Sequence, residues 1–213
     1  TIYNFIWRII KFIIPMYLER RKKNGKEDVN RINERFGISN KIRPDGTLIW
    51  LHGTSVGESV AALALANSMK KNGYGNKENE FFLLTTNTLS AANLIKDKIT
   101  KGLPAIHQFQ PYDHPKFVSK FLKHWKPSMA VFLESDFWPN LIYMTTKTKI
   151  PTVLASSQMS KKSARFWTGL GYILAKKIFN KVDYVLAVDP KQQALFKKLG
   201  AKNVKSLTSL KSI

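Results

Sequence analysis

No cysteine occurs in the 213 residues, so a disulfide scaffold, a thiolate zinc site and a cysteine nucleophile are all excluded. Acid is scarce: 14 Asp plus Glu stand against 35 Lys plus Arg, a formal net charge of +21 at pH 7. No uninterrupted apolar run reaches the roughly 20 residues that a simple membrane span requires. There is no P-loop, no G-x-G-x-x-G, and no His or Asp cluster at metal-ligand spacing. What is present suffices for a folded body, since 44% of the residues are apolar and the length suits one fairly large domain or one and a half ordinary ones. The basic surplus points to an anionic partner such as nucleic acid, a lipid headgroup surface or an acidic substrate. A solvated Lys-rich surface explains part of it equally well, because Lys outnumbers Arg 28 to 7. Beginning at Thr1 and stopping at Ile213, the chain reads as a piece of something longer.

Residues 2–18, IYNFIWRIIKFIIPMYL, are strongly apolar but are interrupted by Asn4, Arg8 and Lys11, whose spacing of four and three puts them on one helical face. Glu19 and the cations Arg20, Arg21, Lys22 and Lys23 follow directly. Such a segment can lie in a membrane interface with its basic flank toward anionic headgroups, and Tyr3, Trp7 and Tyr17 suit that depth. The competing reading is an amphipathic helix packed on its own protein. A cleaved signal peptide fits worse, since no small-residue cleavage site follows and the basic run is on the wrong side. Residues 24–46 form a polar connector, with Arg31, Glu34 and Arg35 on a short helix ending at Gly37.

From Thr47 onward short β-branched and aromatic runs alternate with segments of helical period. Strands are expected at 48–53, 81–86, 105–110, 129–134, 151–155 and 184–188, and helices at 58–71, 89–99, 115–124, 138–147, 160–179 and 190–199. Continuously apolar strands joined by βα units imply an α/β, Rossmann-like parallel sheet with helices on both faces. Ligands of such sheets sit beyond the carboxyl ends of the strands, and the informative residues stand there.

The first strand runs into His52-Gly53-Thr54-Ser55-Val56-Gly57-Glu58. The two glycines permit close backbone approach to a ligand, and the helix start offers free N–H groups to an anion. Ser55-x-x-Glu58 also reads as a capping box. Gly53-x-Ser55-x-Gly57 matches the G-x-S-x-G of a hydrolase elbow, which needs an acid and then a histidine. Asp97 or Asp113 and His107, His114 or His124 follow, but the elbow would fall on the first strand, where that fold does not put it. His52 reads as a core or helix-end histidine rather than a ligand. After the fourth strand come Glu134-Ser135-Asp136-Phe137-Trp138-Pro139-Asn140; Pro139 suits a first helical turn and Asp136 could cap it. Glu134 is a carboxylate at the mouth of a buried strand, and two carboxylates in one crevice can divide acid and base work. Thr85-Thr86-Asn87-Thr88 and Gln110-Pro111-Tyr112-Asp113-His114-Pro115 supply further turns.

Taken in order, these motifs, with Met159-Ser160-Lys161-Lys162-Ser163 and Ser209-Leu210-Lys211, resemble the lipopolysaccharide 3-deoxy-D-manno-octulosonic acid (Kdo) transferase family. The resemblance implies the N-terminal half of a two-domain GT-B glycosyltransferase, inverting and metal-independent with no cofactor, that moves Kdo from CMP-Kdo to the lipid A precursor. It implies an anionic membrane surface as a partner, no nucleic acid, and a place at the cytoplasmic face of the inner membrane. It implies Glu58 as general base, Glu134 and Lys211 as stabilisers of the transition state, and Ser55, Gly57 and Thr86 as substrate-binding residues. The expected organisation is a membrane-associated helix and flank at 1–23, a connector at 24–46 and an acceptor-binding domain at 47–213, with the donor domain absent and this chain alone inactive or nearly so. Two departures stand out: Gly53 where the family usually has Ala, a mild change, and Ser156-Ser157-Gln158 where it has Asn-Ala-Arg, which removes an arginine.

Overall fold

A computed structural model describes residues 2–133 and 137–206. Seven parallel strands form one sheet in the order β3-β2-β1-β4-β5-β6-β7: β1 (Thr47–His52), β2 (Glu80–Thr86), β3 (Ala105–Phe109), β4 (Met129–Phe132), β5 (Thr152–Ser157), β6 (Tyr184–Ala187) and β7 (Val204–Ser206). The chain steps from β1 outward to β3, then returns to lay β4 on the other side of β1. The order therefore reverses between β1 and β4, and a doubly wound sheet opens its ligand crevice at such a point. This is the Rossmann-like architecture expected from the alternating pattern. The seventh strand was not expected, because Val204-Lys205-Ser206 is too short and mixed to carry a strand signal.

Helices α2 (Val56–Lys71) and α3 (Leu89–Thr100) cover one face. Their core is built on Leu51, Leu84 and Ile95, with Ala61, Ala62 and Ala66 bringing α2 close to the sheet. The other face is covered by α4 (Pro115–Trp125), α5 (Pro139–Lys147), α7 (Tyr172–Phe179) and α8 (Pro190–Lys198) over Trp50, Phe121, Trp125, Phe132, Phe179 and Phe196. The expected helix at 160–179 is two helices, α6 (Lys161–Thr168) and α7, broken at Gly169-Leu170-Gly171, where two glycines within three residues weaken helix propagation.

Ahead of the sheet, α1 (Ile2–Lys23) ends in four consecutive cations that complement the negative end of its dipole. Ile14 and Leu18, four apart, are buried, while Ile9, Phe12, Ile13 and Met16 are exposed. The side chains of Asn4, Arg8 and Lys11, expected to form the polar face, lie outside the described residues. Among the described residues no helix is long and apolar enough to cross a membrane.

The segment read as a connector is packed into the domain. Its 3-10 helix, Val29–Phe36, is capped by Asp28 and closed by Gly37 at φ 74, and a Cβ at Gly37 would lie 2.0 Å from the Phe117 carbonyl oxygen. This helix covers the outer edge of β3: the Phe109 N–H donates to Glu34 Oε2 (2.7 Å), and Arg31 (3.1 Å) and Lys41 (2.7 Å) donate to the His107 carbonyl. An otherwise open strand edge is closed in this way.

Candidate active site at the sheet switch point

His52 ends β1, fully buried, with Nδ1 2.7 Å from Thr85 Oγ1 and its ring against Trp50 and Phe132. It is a core histidine, as expected. The chain then turns through Gly53 into α2. A Cβ at Gly53 would come within 2.8 to 2.9 Å of the Glu58 backbone, so alanine there is not the mild change expected from sequence: it would push on the turn that carries Glu58.

Glu58 sits in the first turn of α2, half-buried. Its Oε2 accepts the Ser55 N–H at 2.7 Å and the Ser55 hydroxyl at 2.5 Å. Both bonds fall on one oxygen, so the carboxylate is oriented while Oε1 accepts no hydrogen bond from the described residues. The capping box is thus present, and it also aims Glu58, so the structural and chemical readings of Ser55-x-x-Glu58 coexist. Ser55 and Gly57 are exposed beside it. With its hydroxyl on a carboxylate, Ser55 is not paired as a hydrolase nucleophile; His107 is bonded to Thr86 and Arg31, and His124 to the Lys41 carbonyl.

Thr86 differs from the other candidates. It is fully buried, and its hydroxyl lies 2.9 Å from His107 Nε2. Arg31 can only donate, and it lies 2.8 Å from His107 Nδ1, so Nδ1 is the acceptor and Nε2–H donates to Thr86. Burial first, then the charges of Arg31, Lys41 and Arg35, holds the His107 pKa well below its ordinary value. The Thr86 hydroxyl is therefore engaged in this internal contact. Glu134 and Asp136, together with Lys211, lie outside the described residues. The helix start after β4 is nevertheless occupied: Asp113 accepts the N–H of Asn140 (2.9 Å) and of Leu141 (2.7 Å), while the Asn140 amide donates to the Asp113 carbonyl (2.5 Å). The Tyr-Asp motif and the Trp-Pro-Asn motif are one structural unit, a cap reaching across 27 residues that local spacing does not reveal.

Tyr3 of α1 donates to Asp113 as well, at 2.6 Å; burial and the Asp113 charge raise its phenol pKa, so it stays a donor. Beneath α1 a cavity of about 220 Å³ is lined by Trp7 and Arg21 of α1 and by Asn87, Gln110, Tyr112 and Trp138 from the loops after β2, β3 and β4, among others. Asn87 N–H donates to the Thr54 carbonyl at 3.1 Å, tying this wall to the turn of Glu58. An apolar cavity of about 280 Å³ adjoins it, between Trp7, Ile10, Ile13, Ile14, Tyr17 and Tyr112. Behind the wall, Arg35 is buried and pairs with Glu27 at 3.0 to 3.2 Å while donating to the Asn87 side chain and carbonyl. Its guanidinium and that of Arg31 each lie 4.6 Å from the Phe109 ring centroid. Sequence reasoning missed Glu27 and read Asn87 and Asp113 only within turns, with Asp113 also a candidate acid; the placing of Arg31, Glu34 and Arg35 on one short helix was the hint of this network. Among the described residues no group of three His, Asp or Glu could hold a metal ion.

The fold is thus a doubly wound α/β domain with an oriented carboxylate at its switch point, where such sheets open their ligand crevice. The sequence profile of the family described as 3-Deoxy-D-manno-octulosonic-acid transferase (kdotransferase) matches residues 30–212, and the chain belongs to that family. It is 36% identical over 156 residues to a probable mitochondrial 3-deoxy-D-manno-octulosonic acid transferase of Arabidopsis thaliana, covering 73% of this chain and 34% of that protein. It is 33% identical over 190 residues to the 3-deoxy-D-manno-octulosonic acid transferase of Rickettsia bellii, covering 88% and 43%. The enzyme of the same name from Bordetella pertussis is 27% identical over 217 residues, covering 99% and 49%. The chain thus spans less than half the length of each of these relatives.

Proposed function

We propose that this chain is the acceptor-side half of a GT-B Kdo transferase that uses CMP-Kdo as donor and the lipid A precursor as acceptor. The carrying observation is Glu58, held by Ser55 through one oxygen at the mouth of β1, with no hydrogen bond to the other oxygen from the described residues. In this reading Oε1 takes the proton of an acceptor hydroxyl as its oxygen attacks the anomeric carbon of Kdo. The bond from that carbon to the CMP phosphate breaks on the opposite face, CMP departs with the electron pair, and the configuration inverts. Ser55 and Gly57 line the approach. Glu134 and Lys211 are assigned to stabilising the developing charge at the sugar carboxylate and the leaving phosphate, with no metal or cofactor. Thr86 acts only through the wall that it helps hold.

The apolar cavity beside α1 suits an acyl chain of such an acceptor, and Arg21 at its polar neighbour suits a sugar phosphate. The exposed Ile9, Phe12, Ile13 and Met16, followed by the four cations of the last turn, suit an interfacial helix on an anionic bilayer, and the place in the cell is the cytoplasmic face of the inner membrane. The test is Kdo transfer from CMP-Kdo to lipid A precursor by the full-length gene product carrying Glu58→Gln. A loss of about 10²- to 10⁴-fold is expected for removal of a general base; undiminished transfer overturns the assignment.

A further inference from the structure

The corner between α6 and α7 is used by nothing described above. There Leu170 is 97% exposed, Ile173 85% and Phe166 51%, a degree of apolar exposure that marks an interaction site when the side chains adjoin. The corner is not a loose loop. Gly169 N–H donates to the Arg165 carbonyl (3.1 Å), Gly171 N–H to that of Phe166 (2.9 Å) and Tyr172 N–H to that of Gly169 (3.0 Å). A Cβ at Gly171 would meet the Phe166 and Trp167 rings at 2.8 and 2.9 Å, so the backbone is pressed onto those rings and presents Leu170 outward in a fixed conformation.

Along the chain on either side of it the charge has one sign. Between Asp136 and Asp183 the sequence carries eight Lys or Arg and no carboxylate. Exposed Lys162 lies four residues before Phe166, and exposed Lys176 and Lys177 lie three and four after Ile173, the spacings that share a helical face. Apolar side chains at a helix corner, ringed by long cations, match the boundary of an anionic bilayer, where the apolar tips enter the acyl edge and the cations meet phosphates. A stable protein–protein interface buries more surface than these few side chains offer.

We propose that the α6–α7 corner is a second lipid-contact point, with Leu170 and Ile173 as an inserting tip and the flanking lysines as its electrostatic collar. Both elements are tied to α5: Tyr3 of α1 reaches its N-terminal end through Asp113, and α7 packs against it, with Lys177 and Lys181 5.0 and 5.8 Å from the Tyr143 ring centroid. The inference rests on the preceding reading only for the presence of a bilayer.

Because the chain has no cysteine, a polarity-sensitive dye can be placed on the full chain at a single Leu170→Cys and, separately, at Phe12→Cys. With phosphatidylglycerol vesicles the dye at 170 is expected to brighten several-fold, with phosphatidylcholine vesicles to stay unchanged, and at about 1 M salt to revert as the collar is screened. Leu170→Ser combined with Ile173→Ser is expected to lower partition into the anionic vesicles about tenfold at unchanged thermal stability. A silent dye at 170 beside a responding dye at 12 overturns this proposal and leaves the α1 reading standing; the reverse pattern overturns the α1 reading alone. Brightening at 170 with rising protein concentration and no lipid overturns the lipid assignment in favour of self-association.

Discussion

Glu27, which lines the cavity beneath α1, and Glu58, in the first turn of α2, are two carboxylates used in opposite ways. Glu27 is buried, and both of its oxygens are taken by Arg35 and Arg21. Glu58 is half-buried, and its two bonds, both from Ser55, fall on one oxygen. A charge removed from water must have every lone pair answered or it destabilises the fold. A charge that is to accept a proton must keep one oxygen open. The difference in saturation, more than in burial, separates the scaffold carboxylate from the one proposed as the general base.

That contrast can be broken by exchanging the two neutral variants. Glu58→Gln should cost the transfer activity and leave thermal unfolding nearly unchanged. Glu27→Gln should do the reverse, because it strands the Arg35 guanidinium: a loss of about 3 to 5 kcal/mol is expected, read as a lowered urea midpoint of the full chain. If both variants lose stability alike, Glu58 is a cap and nothing more.

A smaller effect comes from the same wall. His107 is neutral in the folded chain because burial and three cations hold its pKa well below the usual 6.5. Above about pH 6.5 neither state binds a proton there, and His107 contributes no pH dependence. Below it the unfolded chain takes up a proton that the folded chain refuses, so stability falls with pH, by up to about 1.4 kcal/mol per unit for one proton. His107→Gln should flatten that slope between about pH 6.5 and 5 in urea titrations; an unchanged slope assigns it to other groups.

The smallest expected change sharpens the comparison with the family. Ser156 holds a positive φ of 52 at the irregular end of β5, a conformation that asparagine tolerates better than serine. Asparagine is the residue that the family resemblance places there, so Ser156→Asn should stabilise the chain by a few tenths of a kcal/mol, measured as a small upward shift in Tm.

The parts of the molecule legible in the sequence are those written in local period. The alternating runs announced six of the seven strands, Gly37 announced the end of its short helix, and Ser55-x-x-Glu58 announced a helix start. What was not legible depends on residues that meet only after the sheet has formed. Asp113 caps a helix from another loop, in the role expected of Asp136; Glu27 and Arg35 join the connector to the ends of β2 and β3; and Thr86 turns inward because His107 is its neighbour across a strand pair. Gly53 shows the same limit from the other side, since the closeness of the Glu58 backbone, which would have to shift for a Cβ there, is not visible in local spacing.

The Tyr3 hydroxyl couples two events that would otherwise be separate. It ends on Asp113, which at the same moment holds the first amides of α5, so lifting α1 from the body uncouples a donor from the residue that organises the helix after β4. One carboxylate thus joins α1 to the start of α5, and the contact that holds the first helix down is also part of what organises the rim of the crevice.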